Sequence, residues 1–261
     1  MEWVSSTVNL FYLALDCLEH IQIAREFNHD FAKHQIKLDI IQIRLSRLGE
    51  VTELEGKIKN GQNNNNPTSP LERAVKKVLE DIRDLLDSFQ EEHQKIKPEG
   101  IAPEAVHSAD EMNDRHKRIR ESLRHWVMKR KSQAIQTGHR IQWVFYKKTT
   151  FDKFVTDISD LLDKLEKLFP ENIRNKLQDL SRKQCEDISK ANLETLSTYI
   201  DRCDPWLKTA VEERLKSDQA AGVNINQSHN TGTTTGIHNG DMIGFNNGPG
   251  SLTNNIGREN R

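Results

Sequence analysis

The sequence predicts an all-α protein: a helical bundle over residues 1–218, then a tail, residues 219–261, disordered alone and competent to form amyloid. Three observations predict this. Apolar residues recur at helical spacing through the first part. Helix-capping residues stand where each periodic stretch begins. From Gly222 onward the chain turns to Asn, Gly and Thr with isolated apolar residues and almost no charge.

Trp3 to about Arg25 reads as the first helix, with Trp3, Val4, Val8, Leu10, Phe11, Tyr12, Leu13, Ala14 and Leu15 ahead of Asp16 and Glu19. It is too short and too interrupted for a conventional membrane span. Packing on the domain and lying on a bilayer are both open to it. A second helix runs from Asp30 to Leu48, with Ile36, Ile40, Ile41, Leu45 and Leu48 on one side and Gly49 just past its end. Asn60 to Pro67 is a polar run closed by proline, the mark of a surface loop.

The third helix has the clearest start: Ser69 as N-cap, Pro70 in the first turn and Glu72 completing a capping box. Leu71, Val75, Val78, Ile82, Leu85 and Phe89 then form a heptad stripe that wants a partner helix. After a Pro- and Gly-bearing loop from Pro98 to His107, Ser108 and Glu111 open a fourth helix expected to reach Lys148. Its buried side is Met112, Ile119, Leu123, Trp126, Ile141 and Phe145. The other side is basic, with Arg115, Lys117, Arg118, Arg120, Arg124, Lys129, Arg130 and Lys131. A solvated face, anionic lipid and nucleic acid compete for that side. Nucleic acid comes last, since no helix-turn-helix, finger or aromatic platform accompanies the charges.

Thr149 and Asp152 open a fifth helix carrying Phe151, Phe154, Val155, Ile158, Leu161, Leu162, Leu165, Leu168 and Phe169, stopped by Pro170. A sixth runs from Glu171 to Cys203 on Ile173, Leu177, Leu180, Ile188, Leu196 and Ile200. Asp204 and Pro205 are N-cap and first-turn residues of a last helix ending near Ser217. No strand-like alternation precedes Val223.

In the tail, Val223-Asn224-Ile225-Asn226 alternates, and glycines fall at Gly232, Gly236, Gly240, Gly244 and Gly248. Each glycine costs about 1 kcal/mol against alanine in a helix interior, so this spacing opposes helix. The isolated apolar residues Ile237, Met242, Ile243 and Phe245 are too few for a core in one chain. Two readings are open: a disordered, low-complexity tail with no task of its own, or a short amyloid motif in which, stacked on copies, Asn side chains form ladders, the apolar residues interdigitate and the glycines turn.

With 35% apolar and 30% charged residues and a formal net charge of -1, no global charge directs the chain to nucleic acid. Cys17, Cys185 and Cys203 are scattered without a CxxC pair, which points away from disulfides and zinc and toward a reducing cytosol. Met1-Glu2-Trp3-Val4 lacks the features of a secretory signal. Among ten histidines there is no HExxH, and neither GxxxxGK[ST] nor GxGxxG occurs. Cys17 beside Asp16 and Glu19 is poorly placed as a nucleophile. Neither catalysis nor a cofactor or metal is expected.

Two blocks carry a family resemblance. Asp16-Cys17-Leu18-Glu19, Gln22, Phe27, Asp30, and Lys37-Leu38-Asp39-Ile40 through Arg44-Leu45-Ser46-Arg47-Leu48-Gly49-Glu50 resemble the opening of the HeLo domain of fungal HET-S type proteins. Trp143, Tyr146, Phe151, Lys153, Val155, Ile158 and Leu165-Glu166-Lys167-Leu168-Phe169-Pro170 are similar to that family's later helices. The likeness covers roughly Leu10 to Leu180.

The resemblance implies an amyloid-templated, membrane-targeting, pore-forming effector of heterokaryon incompatibility. A template from a nucleotide-binding receptor, or from copies of the chain, converts the tail; the cross-β stack repositions the domain, and its N-terminal helix inserts in the plasma membrane. Carried over, the inserting residues are Trp3, Val4, Val8, Leu10, Phe11, Tyr12, Leu13 and Leu15, with Asp16 beside them. The templating residues are Val223, Asn224, Ile225, Asn226, Gly232, Gly236, Ile237, Gly240, Met242, Ile243 and Phe245. Arg118, Arg120, Arg124, Lys129, Arg130 and Lys131 face anionic lipid. A cytoplasmic location before activation and a homodimer are further expectations. Two departures stand against the family pattern: Ser5, Ser6, Thr7 and Asn9 replace a glycine-rich apolar lead-in, and the tail lacks paired pseudo-repeats. The first departure and the stripe from Leu71 to Phe89 suit the alternative, a non-toxic helical adaptor that relays or dampens such signals; the second leaves open which template the tail answers to.

Overall fold

Apolar residues occupy every side of the stretch from Ile36 to Leu48, leaving it no face for water. It accordingly forms the middle of the bundle, where α2 (Phe31–Val51) has 16 of its 21 residues buried. The structure is a computed structural model and describes residues 7–24, 27, 30–51, 69–96, 107–131, 143–221, 234–238 and 241–245. Two compact units divide the chain, Met1–Asp218 and Gln219–Arg261.

In the helical unit, α1 (Thr7–Glu19) and β1 (Ile21–Ile23) precede α2; α3 (Pro70–Ile96), α4 (Asp114–Lys131), β2 (Trp143–Phe145) and α5 (Lys148–Lys167) follow it. Then come α6 (Glu171–Glu186), α7 (Lys190–Ile200) and α8 (Pro205–Ala221). Helices α1, α4, α5, α6 and α7 pack on α2, while α1 and α5 also pack on α3. The all-α bundle is thus the architecture, with α2 as its axis.

The caps read from the sequence hold at three helix starts. Glu72 N–H donates to Ser69 Oγ at 3.1 Å and Ser69 N–H to Glu72 Oε2 at 3.2 Å. Ser108 N–H donates to Glu111 Oε1 at 3.2 Å, although this closes only the 3-10 turn Ala109–Glu111. Asn113 then caps α4 by accepting from His116 N–H at 2.9 Å. Asp204 Oδ1 accepts from Leu207 N–H at 3.0 Å at the head of α8.

Other expectations need correction. The first helix stops at Glu19, and Ile21–Ile23 pairs in parallel with Trp143–Phe145. β-branched and aromatic residues favour strand there, and the intervening helices supply the long crossover that parallel pairing requires. The fourth helix therefore ends at Lys131, and Phe145 enters the core from a strand. There it meets Phe151 and Phe154 with ring centroids 5.1 and 5.2 Å away. Thr149 does not cap α5, which starts at Lys148 behind Lys147 without a side-chain cap bond. The sixth helix breaks between Glu186 and Lys190, where the backbone of Ser189 takes over as N-cap. On α3 the core uses Val75, Leu79, Ile82, Leu86 and Phe89, while Leu71 is 40% exposed. That stripe is covered within the chain by α1 and α5. The loops from Asn60 to Pro67 and from Pro98 to Val106, and Ile141, lie outside the described residues.

The turn that joins α7 to α8 is strained. Cys203 N–H donates to Ile200 O at 2.8 Å, and Asp201 inside this turn has φ 39° and ψ -120°. Only glycine adopts such a conformation without a Cβ penalty. Asp201→Gly is expected to raise unfolding free energy by about 1 kcal/mol, the relieved strain outweighing the entropy a glycine adds to the unfolded chain. Urea titration of the two proteins measures it.

Two histidines, His34 buried and His116 half-buried, tie helices together and make stability depend on pH. His34 sits edge-on to Phe27 and Phe151, its Nδ1 2.6 Å from Asp30 O and its Nε2 3.7 Å from Asp152 Oδ1. Burial pulls its pKa below the ordinary 6.5, and the Asp30 carbonyl and Asp152 only partly restore it. His116 Nε2 lies 2.9 Å from Tyr199 Oη, and burial followed by Arg115 lowers its pKa too. As pH falls, the unfolded chain binds these protons before the folded one. The stability they support is complete above about pH 6.5 and drains as pH drops toward the lowered values. Calorimetry should find Tm lower at about pH 5.5 than at about pH 7, with a smaller fall in His34→Leu.

Candidate functional site

The first helix carries its apolar face inward. Leu10, Phe11, Tyr12, Ala14, Leu15 and Leu18 are buried against the rest of the core and Leu13 is half-buried. Of the residues the resemblance assigns to membrane insertion, Leu10, Phe11, Tyr12 and Leu15 are therefore core residues in this state. Val8 belongs to the backbone of α1, and Trp3 and Val4 lie outside the described residues. Exposing these side chains to water costs on the order of 10 kcal/mol at about 1.5–3 kcal/mol each, so α1 does not leave unaided. Among the described residues no helix is long and apolar enough to cross a membrane.

The seat of α1 is a notch in α2. Gly49, expected to terminate that helix, lies within it, and a Cβ built there would stand 2.2 Å from Phe11 Cζ. A glycine is needed because an aromatic ring occupies the space of a side chain. Phe11 in turn meets Tyr12 edge-on at 5.3 Å. At the other end of α1, Glu19 lies 3.8 Å from Arg124 of α4.

Three charges on α2, Asp39, Arg44 and Arg47, are buried with it, and each finds partners outside that helix, as the low-dielectric interior demands. Arg44, wholly buried, donates through Nε to Glu166 Oε1 and through Nη2 to Glu166 Oε2, both at 2.8 Å. Its Nη2 also reaches Asp163 Oδ1 at 2.5 Å and its Nη1 the Cys203 carbonyl at 3.1 Å. Burial works against the Arg44 charge, but the hydrogen bonds to Glu166 and Asp163, together with the charges of Glu166 and Asp204, outweigh it and hold the guanidinium ionised. Arg47 donates to Ser181 Oγ at 2.5 Å, to Gln184 Oε1 at 3.0 Å and to Asp204 Oδ2. The Trp206 indole N–H closes the set on Glu166 Oε2 at 3.1 Å. Burial pushes the thiols of Cys185 and Cys203 up to about 12 and about 11, so both stay protonated.

The basic helix is divided rather than uniform. Arg120 and Arg130 do not face lipid: Arg120 Nε donates to Asp39 Oδ2 at 2.6 Å, and Arg130 donates to Glu50 Oε2 at 2.5 Å and Ser46 Oγ at 3.0 Å. Both are buried because buried acceptors on α2 require them. Burial raises the Asp39 carboxyl, with Arg120 pulling the other way. Arg118 and Lys129 remain on the outer side, Lys129 over the Trp126 ring at 4.9 Å, with Arg124 half-exposed. The side chain of Lys131 lies outside the described residues. Sequence periodicity missed Arg44, Arg47, Glu166 and Asp204. The available signal was that α2 has no polar side, which forces its charges inward.

In the tail unit, β3 (Thr234–His238) pairs antiparallel with β4 (Asp241–Phe245), Gly236 opposite Ile243 and Ile237 opposite Met242. Composition did not specify this pairing, though the intervening Asn239-Gly240 is the favoured dipeptide for a two-residue hairpin connection. Gly236, Ile237, Met242, Ile243 and Phe245 are in these strands. Val223, Asn224, Ile225, Asn226, Gly232 and Gly240 lie outside the described residues.

Residues 3–198 match the HeLo family, described as prion-inhibition and propagation. This chain belongs to the HeLo family. It is similar to heterokaryon incompatibility protein s of Podospora anserina, 25% identical over 240 residues that cover 91% of this chain and 81% of that protein. Heterokaryon incompatibility protein S of the same fungus is 25% identical over 239 residues, 90% of this chain and 79% of that one. Among solved structures, a doubly substituted HET-s N-terminal domain superposes with a TM-score of 0.73 at 24% identity, covering 81% of this chain and 99% of that domain. The HET-S N-terminal domain gives 0.73 at 22%, covering 82% and 95%. These structures share the fold of the HeLo helical unit. The sequence blocks that resemble the family include the notch and lock residues of this HeLo protein: Asp39, Arg44, Ser46, Arg47, Gly49 and Glu50 on α2, and Glu166 on α5.

Proposed function

We propose that this chain is a heterokaryon-incompatibility effector in which templated stacking of the tail undocks α1 and delivers it to an anionic membrane. The observation that carries the reading is the burial of α1: an amphipathic helix at one end of the chain, seated in the Gly49 notch and tied to α4 through Glu19. Such a helix is silent while docked and surface-active once released. The tail supplies the other half, with short β-prone segments, Asn ladders and little charge. The template is a related motif on a nucleotide-binding receptor or copies of this tail. The chain waits in the cytoplasm, alone or as a homodimer, and acts at the plasma membrane without catalysing a reaction.

The experiment uses the full chain with anionic vesicles, in the presence and absence of fibril seeds made from residues 219–261. Seeds should produce cross-β fluorescence and dye leakage together, and removing residues 1–15 should abolish leakage while leaving fluorescence. A chain that stays monomeric with seeds at high concentration sinks the trigger. Leakage unchanged by the truncation sinks the effector role of α1.

A further inference from the structure

Away from the seat of α1, the end of α5, the start of α6 and the start of α8 line an open cleft of about 420 Å³. That is within the range of small-molecule sites, about 300–1,000 Å³. Its construction is specific. Glu166 on one wall is held by Nε and Nη2 of Arg44 and by the Trp206 indole N–H. The half-buried Trp206 is thereby held with its N–H engaged, a flat apolar surface fixed before any ligand arrives. Pre-ordered walls lower the entropic cost of binding.

Charges of both signs surround this surface without neutralising one another. Arg174, half-buried, and Lys167 line the cleft as cations; Glu171 lines it as an anion at helical spacing from Arg174. Among the described residues none of these three side chains makes a hydrogen bond or ion pair. Asp163 shares one oxygen with Arg44 and is 39% exposed, leaving its other oxygen as an acceptor. Cations and acids that line one cavity unpaired are matched by a ligand that brings one charge of each sign. The indole adds a requirement for a ring or other flat apolar group.

We propose that this cleft binds an aromatic α-amino acid, its carboxylate on Arg174 and Lys167, its ammonium on Glu171 and Asp163, and its ring on Trp206. The occupant would bridge α5, α6 and α8 across Arg44 and so stabilise the helical unit by mass action. This inference is independent of the proposed function, because it concerns the resting domain alone.

The test is calorimetric titration of the full chain with four probes: phenylalanine, 3-phenylpropionate, phenethylamine and glycine. Phenylalanine should bind with a Kd of roughly 0.1–1 mM, and the three probes that lack one charge or the ring should bind at least ~10-fold more weakly. Arg174→Ala and Glu171→Gln should each weaken phenylalanine ~10-fold; Arg174→Ala should leave the ligand-free Tm unchanged, and Glu171→Gln should lower it by no more than the loss of a first-turn charge. Equal affinity for 3-phenylpropionate or phenethylamine removes the requirement for both charges and overturns the assignment. Equal affinity for glycine removes the ring and does the same. So does phenylalanine failing to bind below about 10 mM, or binding that both variants leave intact.

Discussion

Asp204→Ala is expected to destabilise the helical unit by about 3–5 kcal/mol, read as a shift in a urea titration with unchanged slope. The side chain is fully buried and does two things at once: Oδ2 pairs with Arg47 and Oδ1 caps α8 through the Leu207 N–H. Alanine removes both and leaves a guanidinium inside the protein with only Ser181 and Gln184. The network has no spare acceptor to step in, since Arg47 Nε and Gln184 Nε2 already lack one. Asparagine separates the two roles. Asp204→Asn keeps a cap oxygen and loses the charge, so it should be milder than alanine by about 1 kcal/mol, the worth of a cap. Combining Asp204→Asn with Arg47→Met removes the stranded charge as well. The double variant should be more stable than the sum of the single losses by at least ~1 kcal/mol. A loss below about 1 kcal/mol in Asp204→Ala would mean that Arg47 finds another partner and does not lock α6 and α8 to α2.

The course of the chain was legible wherever local chemistry decides the outcome. The capping box at Ser69 and Glu72 and the Asp204–Pro205 start announce themselves because their partners lie three residues away. Long-range partners leave no such mark. Nothing near Trp143 says that it will pair with Ile21, and the helical periodicity of the preceding stretch runs on across the strand. Gly49 shows the same difficulty. A glycine after an apolar run reads as a helix stop, and only the approach of Phe11 from α1 reveals that it is a seat. On α4 the basic residues share one helix, and periodicity alone gives them a common solvent face. Asp39 and Glu50, distant in sequence, turn Arg120 and Arg130 inward. The blocks that resemble the family held part of this information already, because they include the residues whose partners are far away.

Gly49→Ala tests the seat of α1 directly, and two effects of opposite sign make the outcome informative. In an isolated helix the change is favourable by about 1 kcal/mol, since alanine is the better helix former. Inside this bundle the new Cβ would lie 2.2 Å from Phe11 Cζ and 2.5 Å from Cε1. Carbon atoms pack at about 3.5–4.0 Å, so the ring must retreat by more than an ångström from a site where it is 3% exposed. Overpacking of that kind costs about 1–3 kcal/mol, and the strain falls on the element able to yield, which is α1 at the edge of the bundle rather than α2 at its centre. Amides of Thr7–Glu19 should therefore exchange with deuterium roughly 10- to 30-fold faster, while those of α5 and α6 hold their wild-type rates. Adding Phe11→Leu, which removes the clashing end of the ring, should restore slow exchange. If docking of α1 is what keeps the protein inert, the single variant should also leak anionic vesicles without seeds, and the double variant should not. Unchanged exchange in Gly49→Ala would show that Phe11 is accommodated in place. Faster exchange without leakage would separate the seat from the activity: α1 would then be held at Gly49, but its release would not suffice to act on a membrane.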